Sequence, residues 1–143
     1  NQPWIRKAID WLKAVQNSDG GWGEDCNSYD DPELRGQGAS TPSQTAWALL
    51  GLMAVGELNS ENVKRGMHYL IRNQKTNGGW QESLYSGTGF PRVFYLRYHG
   101  YRHYFPLWAL AVFRKMQQGL STRQELARDS GPIELDPLPV MSN

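Results

Sequence analysis

The sequence predicts an all-α fold of helix pairs that form part of an α/α toroid, a partial (α/α)6 barrel. Three observations predict it. A glutamine-to-tryptophan motif occurs twice in register, each copy is followed by a second helical pattern, and the helices alternate between amphipathic and nearly all apolar. The first copy is Lys7-Ala8, Trp11-Leu12, Gln16 and Gly20-Gly21-Trp22; the second is Arg65-Gly66, Tyr69-Leu70, Gln74 and Gly78-Gly79-Trp80. Every position shifts by 58 residues. Self-similarity at such a period signals a repeat architecture.

The elements follow in order. Pro3 suits a first helical position, and Trp4, Ala8, Trp11, Leu12 and Val15 keep a helical period up to Gln16. Gly20-Gly21 ends that helix, and residues 23–40 form a polar loop rich in Gly, Asp and Ser. Thr41-Pro42 opens the next helix, with Thr41 as cap. Its Ala46, Trp47, Leu49, Leu50, Leu52 and Met53 leave few polar faces before Gly56, as in a buried helix. Ser60 caps a third, amphipathic helix carrying Val63, Met67, Leu70 and Ile71, which ends at Gly78-Gly79. Pro106 opens a fourth, through Leu107, Trp108, Leu110, Ala111 and Phe113, up to Gly119. Thr122 and Glu125 have the spacing of a capping box for a short fifth helix. The pattern divides the chain into a partial toroid over 1–119, with repeats at 7–22 and 65–80, and a short helix and tail over 120–143. Amphipathic outer and buried inner helices thus alternate twice. Alone, such a set leaves apolar faces uncovered, so a small orthogonal bundle and self-association into a pseudo-ring are alternative packings.

Composition bounds the function. The 143 residues are 39% hydrophobic and 20% charged, a globular balance. The formal net charge of +1 gives no electrostatic basis for a nucleic-acid partner, despite Arg92, Arg97 and Arg102 among aromatics. The single cysteine, Cys26, excludes an intrachain disulfide, supplies no zinc-type spacing and fits a reducing compartment. The longest apolar run, around Tyr104 to Phe113, contains Pro106 and is about half the ~20 residues a spanning helix needs. No secretory leader is recognisable. A start without Met inside an amphipathic helix suggests a piece of a longer protein.

The repeated motif has a physical logic. Gln16 and Gln74 stand at helix ends, where carbonyls lack partners. A Gln amide donates and accepts at once, so it can tie one helix end to the start of a neighbour. The glycine pair permits a tight reversal, and Trp22 or Trp80 then folds back over the tie. At this point the sequence resembles a known family. The two copies match the "QW" motif of squalene–hopene and oxidosqualene cyclases. Residues 20–26 (Gly-Gly-Trp-Gly-Glu-Asp-Cys), 38–47, 87–91 (Gly-Thr-Gly-Phe-Pro) and 101–106 also resemble the C-terminal region of bacterial squalene–hopene cyclases. The likeness covers roughly residues 4–117, and it favours the squalene–hopene over the oxidosqualene branch. It implies that the motif braces outer helices of the barrel during an exergonic cascade.

Nine of the seventeen aromatics fall within residues 85–108: Tyr85, Phe90, Phe94, Tyr95, Tyr98, Tyr101, Tyr104, Phe105 and Trp108. An extended segment would place Phe94, Leu96 and Tyr98 on one face and Tyr95, Arg97 and His99 on the other. That suits a strand-like loop lining a cavity; a plain aromatic core and a sugar- or peptide-binding surface fit the composition as well. Aromatic faces stabilise cations at roughly 0.5–2 kcal/mol each and exclude water that would quench them. By resemblance, Phe90, Phe94, Leu96, Tyr98 and Tyr101 align with cavity-lining positions. Phe90 and Phe94 resemble positions credited with stabilising late cations, and Tyr98 and Tyr101 resemble neighbours that order the cavity.

The family's acid, an Asp-x-Asp-Asp motif, has no counterpart here: Glu24-Asp25 and Asp30-Asp31 are expected to be solvated turn residues. His68 is expected at the surface, with His99 and His103 flanking the aromatic segment. The resemblance therefore implies a partner, the rest of the cyclase chain, and squalene as the substrate of the whole. It implies no cofactor, no metal and no proton donor within these residues. It also implies peripheral, monotopic attachment on the cytoplasmic side of a membrane. Two other readings stand beside it. A protein prenyltransferase β-like barrel shares the toroid but needs a zinc site, for which Thr41-Pro42-Ser43 offers no thiol or carboxylate. A non-catalytic toroid module is the other.

Overall fold

The computed structural model describes residues 2–84, 87 and 89–129. Four helices appear in it: α1 (Pro3–Ala14), α2 (Pro42–Ala54), α3 (Glu61–Arg72) and α4 (Tyr101–Asp129). The chain is all-α, with helix pairs packed as part of an α/α toroid: α2 lies against both α3 and α4. The two outer helices repeat closely. Each has 12 residues, and both boundaries shift by 58.

Local chemistry sets the helix starts. Thr41 Oγ1 accepts from the Gln44 amide at 3.3 Å, and Pro42 follows in the first turn. Ser60 Oγ accepts from the Val63 amide. Each cap satisfies a donor that the helix itself leaves unpaired. Along α2, eight of 13 residues are buried, among them Ala46, Leu49, Leu52 and Met53. Leu49, Leu52 and Met53 join Val63, Met67 and Leu70 of α3 and Ala109 of α4 in one core. Only Ile9 of α1 is buried, so most of α1 is uncovered.

The motif turns have the same bonds in both copies. Trp22 Nε1 donates to the Leu12 carbonyl at 2.7 Å, and Trp80 Nε1 to the Leu70 carbonyl at 2.8 Å. Gln16 and Gln74 each donate from Nε2 to a turn carbonyl, Gly20 and Gly78 respectively, at 2.8 Å. Gly20 and Gly78 both have positive φ, at 92° and 82°. At Gly20 a Cβ would lie 2.6 Å from the Arg65 carbonyl oxygen, so the turn needs glycine twice over. Gln16 does more. Its Nε2 also donates to the Asn62 carbonyl at 2.9 Å, and its Oε1 accepts from Asn62 Nδ2 at 2.7 Å. The end of α1 is thereby tied to the first turn of α3.

The fourth helix differs from the sequence expectation. It begins at Tyr101, one turn ahead of Pro106, and runs without a break past Gly119 to Asp129. The extra turn forms because Tyr101 and Phe105 both pack edge-on against Trp47 of α2. The expected fifth helix is the end of the same helix. Ser121 and Thr122 hydroxyls donate to the Gln117 and Gln118 carbonyls four residues back, which satisfies them inside a helix rather than at a cap. One glycine in a helix interior costs only about 1 kcal/mol, too little at Gly119 to stop it. Tyr85 and the tail from Ser130 to Asn143 lie outside the described residues. Among the described residues no helix is long and apolar enough to cross a membrane.

Candidate functional site

Within the aromatic segment between Trp80 and Trp108, residues Phe90 to Phe94 form a turn. The amides of Val93 and Phe94 both donate to the Phe90 carbonyl at 3.0 Å, and Phe90 and Phe94 form an isolated antiparallel bridge. Arg92 sits in the turn with φ 67°, a left-handed conformation that costs a non-glycine residue energy. This reversal lies ahead of the Phe94–Tyr98 stretch for which the sequence predicts alternating faces. Residues 95–98 then run without regular structure into the turn before α4.

Contacts to the 24–31 loop hold this turn. Arg92 Nε pairs with Asp30 Oδ1 at 2.6 Å, and its guanidinium also donates to the Tyr29 carbonyl. Tyr29 and Tyr95 stack with ring centroids 6.2 Å apart. Gly87, with φ 63°, lies so close to Cys26 that a Cβ there would come within 2.5 Å of Sγ. Burial first, and the Asp25 charge second, push the Cys26 thiol up, so it is a poor source of thiolate. The acidic residues of the loop serve turns: Asp25 and Asp31 cap the short 3-10 turns Cys26–Tyr29 and Pro32–Leu34. Besides Asp30, which pairs with Arg92, the exception is Glu24. Its carboxylate is half-buried and accepts from the Gly36 amide at 2.8 Å.

The five residues singled out from the sequence fall into two ring pairs and one aliphatic. Phe90 and Phe94 face each other at 5.3 Å, and Tyr98 stacks on Tyr101 at 4.7 Å. No ring contact joins the two pairs among the described residues. Leu96 lies between them along the chain and is exposed, as are Phe90, Phe94 and Tyr98. Phe90 is the extreme, at 66%. Beyond Tyr98 the ring contacts continue: Tyr101 and Trp47 meet edge-on at 5.8 Å, Trp47 and Phe105 at 5.2 Å, and Phe105 stacks on the exposed Trp108 at 6.3 Å. Trp47 is the member that sequence reasoning did not select. Its signal was present, since it is the one aromatic on the buried helix, but the motif-based reading treated α2 as core only.

Polar groups near the rings are few. Arg97 donates to the Glu82 carbonyl, and Arg102 Nε donates to His103 Nε2 at 3.1 Å. His99 and His68 are exposed. Among the described residues no three His, Cys, Asp or Glu side chains converge to hold a metal ion. The arrangement offers a π-rich, half-open surface. Such a surface can shape and stabilise an apolar or cationic molecule.

Comparison with known proteins gives this surface its context. The family model of the squalene-hopene cyclase C-terminal domain matches residues 1–115. The chain belongs to the squalene–hopene cyclase family. It is 62% identical over 115 residues to the squalene–hopene cyclase of Zymomonas mobilis, covering 80% of this chain and 18% of that protein. Over 119 residues it is 58% identical to the squalene–hopene cyclase of Bradyrhizobium diazoefficiens, covering 82% and 18%. The dammaradiene synthase of the fern Dryopteris crassirhizoma is 47% identical over 128 residues, covering 80% and 19%. The chain thus spans about a fifth of the length of the curated relatives it matches.

Proposed function

We propose that this chain is the C-terminal part of a squalene–hopene-type triterpene cyclase, where it supplies barrel scaffold and one aromatic wall of the cavity. The observation that carries this reading is the exposed Phe90–Phe94 pair beside the Tyr98–Tyr101 stack, in a chain of this family. Cationic polycyclisation moves positive charge along a hydrocarbon. The wall must then offer electron-rich faces and no nucleophile, and each face contributes roughly 0.5–2 kcal/mol. Phe90 and Phe94 stabilise late cations. Leu96 shapes the wall, and Tyr98 and Tyr101 order it from behind through Trp47. Gln16, Trp22, Gln74 and Trp80 brace the outer helices. The proton that starts the reaction comes from an acid in the rest of the polypeptide, and the whole enzyme sits peripherally on the cytoplasmic side of a membrane. No cofactor takes part.

The test is product analysis of the full-length enzyme carrying Phe90→Ala or Phe94→Ala. The expected outcome is a slower turnover of squalene with a rise in incompletely cyclised products, because late cations lose their stabilisation before early ones. Removing one face worth roughly 1–2 kcal/mol slows the affected step about five- to thirtyfold. An unchanged product profile in both variants would remove the aromatic pair from the cavity wall.

A further inference from the structure

The 58-residue translation extends beyond the motif. Glu24 and Glu82 each stand two places after the motif Trp. Glu82 is buried, and its carboxylate accepts from the Ser43 amide and the Ser43 hydroxyl, both at 2.9 Å. It therefore caps the first turn of α2, where unpaired N–H groups and the helix dipole favour a carboxylate. Two other residues of the second repeat seat on the same preceding pair. Tyr69 is buried and donates from its hydroxyl to the Ser40 carbonyl at 2.9 Å, just ahead of α2. Gly66 lets α3 approach so closely that a Cβ would lie 2.8 Å from both Leu49 and Trp22.

The first repeat carries Ala8, Trp11 and Glu24 at the corresponding positions 58 residues earlier, with alanine where the second has glycine. Here the surface is open. Ala8 is exposed, and Trp11 is 46% exposed where Tyr69 is 7%. Glu24 borders a cavity of about 470 Å³ lined also by Trp11, Arg35, Gln44 and Trp47. The squalene–hopene cyclases of Zymomonas mobilis and Bradyrhizobium diazoefficiens continue well beyond the matched region, which is only 18% of each. A helix pair joined in the same polypeptide would be present at high effective concentration.

We propose that Ala8, Trp11 and Glu24 form a docking face for one further helix pair of the same repeat, contributed by the part of the polypeptide outside this chain, with Glu24 capping the first turn of that pair's inner helix. Its α2-like N-terminus is complementary to the carboxylate, as the α2 start is to Glu82. Trp11 lies against the segment just ahead of that helix, as Tyr69 does on Ser40.

Hydrogen–deuterium exchange on the full-length protein tests this with Glu24→Gln and Glu82→Gln. Glu82→Gln accelerates exchange at Ser43 and its neighbours in the first turn of α2. Glu24→Gln accelerates exchange roughly tenfold at the first turn of one helix outside residues 1–143, the effect of a lost cap. Acceleration confined to Gly36 and the 24–38 loop overturns the proposal, and so does acceleration at the start of α2 or α4, which would mean a second copy occupies the face. A footprinting measurement needs no substitution: in the unsubstituted full-length protein Trp11 resists hydroxyl-radical oxidation as well as Tyr69 does. Oxidation of Trp11 at the rate of a half-exposed indole also overturns it.

Discussion

Burial lifts the Tyr69 hydroxyl to a pKa of about 12, and the negative charges of Asp19 and Glu82 add to the shift. The neutral phenol is the form that donates to the Ser40 carbonyl. An unfolded tyrosine ionises nearer its ordinary value of 10. The sign follows: the group's contribution to stability is complete below pH 10 and is lost as pH rises toward 12. Tyr69→Phe is expected to cost about 1 kcal/mol at neutral pH through the lost hydrogen bond. It is also expected to flatten the fall in stability over that alkaline interval. Urea denaturation of wild type and variant across the interval measures both effects, and a fall of the same steepness in the variant would assign the alkaline loss to other groups. Arg92 offers a second residue-scale contrast. Its left-handed φ favours glycine, while its ion pair with Asp30 is well exposed and worth roughly 0–1 kcal/mol. Arg92→Gly should therefore leave the melting temperature unchanged or raise it. Arg92→Val, branched at Cβ, should destabilise by roughly 1–2 kcal/mol. Thermal denaturation of the two variants separates backbone strain from the ion pair.

Among the elements, the two motif turns share a design and differ in reach. Gln16 joins α1 to Asn62 of α3 through two bonds and holds its own turn through a third, whereas Gln74 bonds within its own turn, to Gly78. Gln16→Ala is expected to cost about 1–3 kcal/mol, because it also removes both bonds to Asn62, and Gln74→Ala about 0.5–1 kcal/mol. Equal losses in denaturant melts would mean that the link between helices adds nothing. The helices were legible because their signals are local: Thr41-Pro42 and Ser60 cap by contacts three residues apart, and Gly20 and Gly78 end helices by backbone geometry. What was not legible depends on distant partners. Nothing near Tyr101 announces a helix start, since the turn that begins there is held by Trp47, more than fifty residues away. The expected break at Gly119 and cap at Thr122 were plausible local signals overruled by a helix already in progress. In the aromatic segment the identities of the ring pairs could be picked from the sequence, but not their turn, because the reversal at Arg92 is anchored by Asp30 and Tyr29 from another loop.

For the whole molecule, the decisive fact is how unevenly the apolar surface is covered. Leu49, Leu52, Val63 and Leu70 are fully enclosed, while Trp4, Leu107 and Trp108 are more than half exposed on α1 and α4. The α2–α3 seam is closed, while α1, α4 and the outer side of α3 at Ile71 keep large apolar residues exposed. Contiguous exposed apolar patches mark surfaces meant to be covered. On the function proposed above, the π-rich wall has the same half-built character, with faces to receive a cation and its acid in the rest of the polypeptide. Taken alone, residues 1–143 should therefore convert no squalene to cyclised product, and they should expose enough apolar surface to bind a hydrophobic dye. Gas chromatography of squalene incubated with the purified chain, beside the full-length enzyme as positive control, measures the first expectation. Adding the remaining part of the enzyme as a separate polypeptide supplies the contrast. If the exposed faces are the surfaces that complete the barrel, that addition should quench the dye signal. Any cyclised triterpene from the chain alone would place a proton donor within these residues and overturn the division of labour proposed for them.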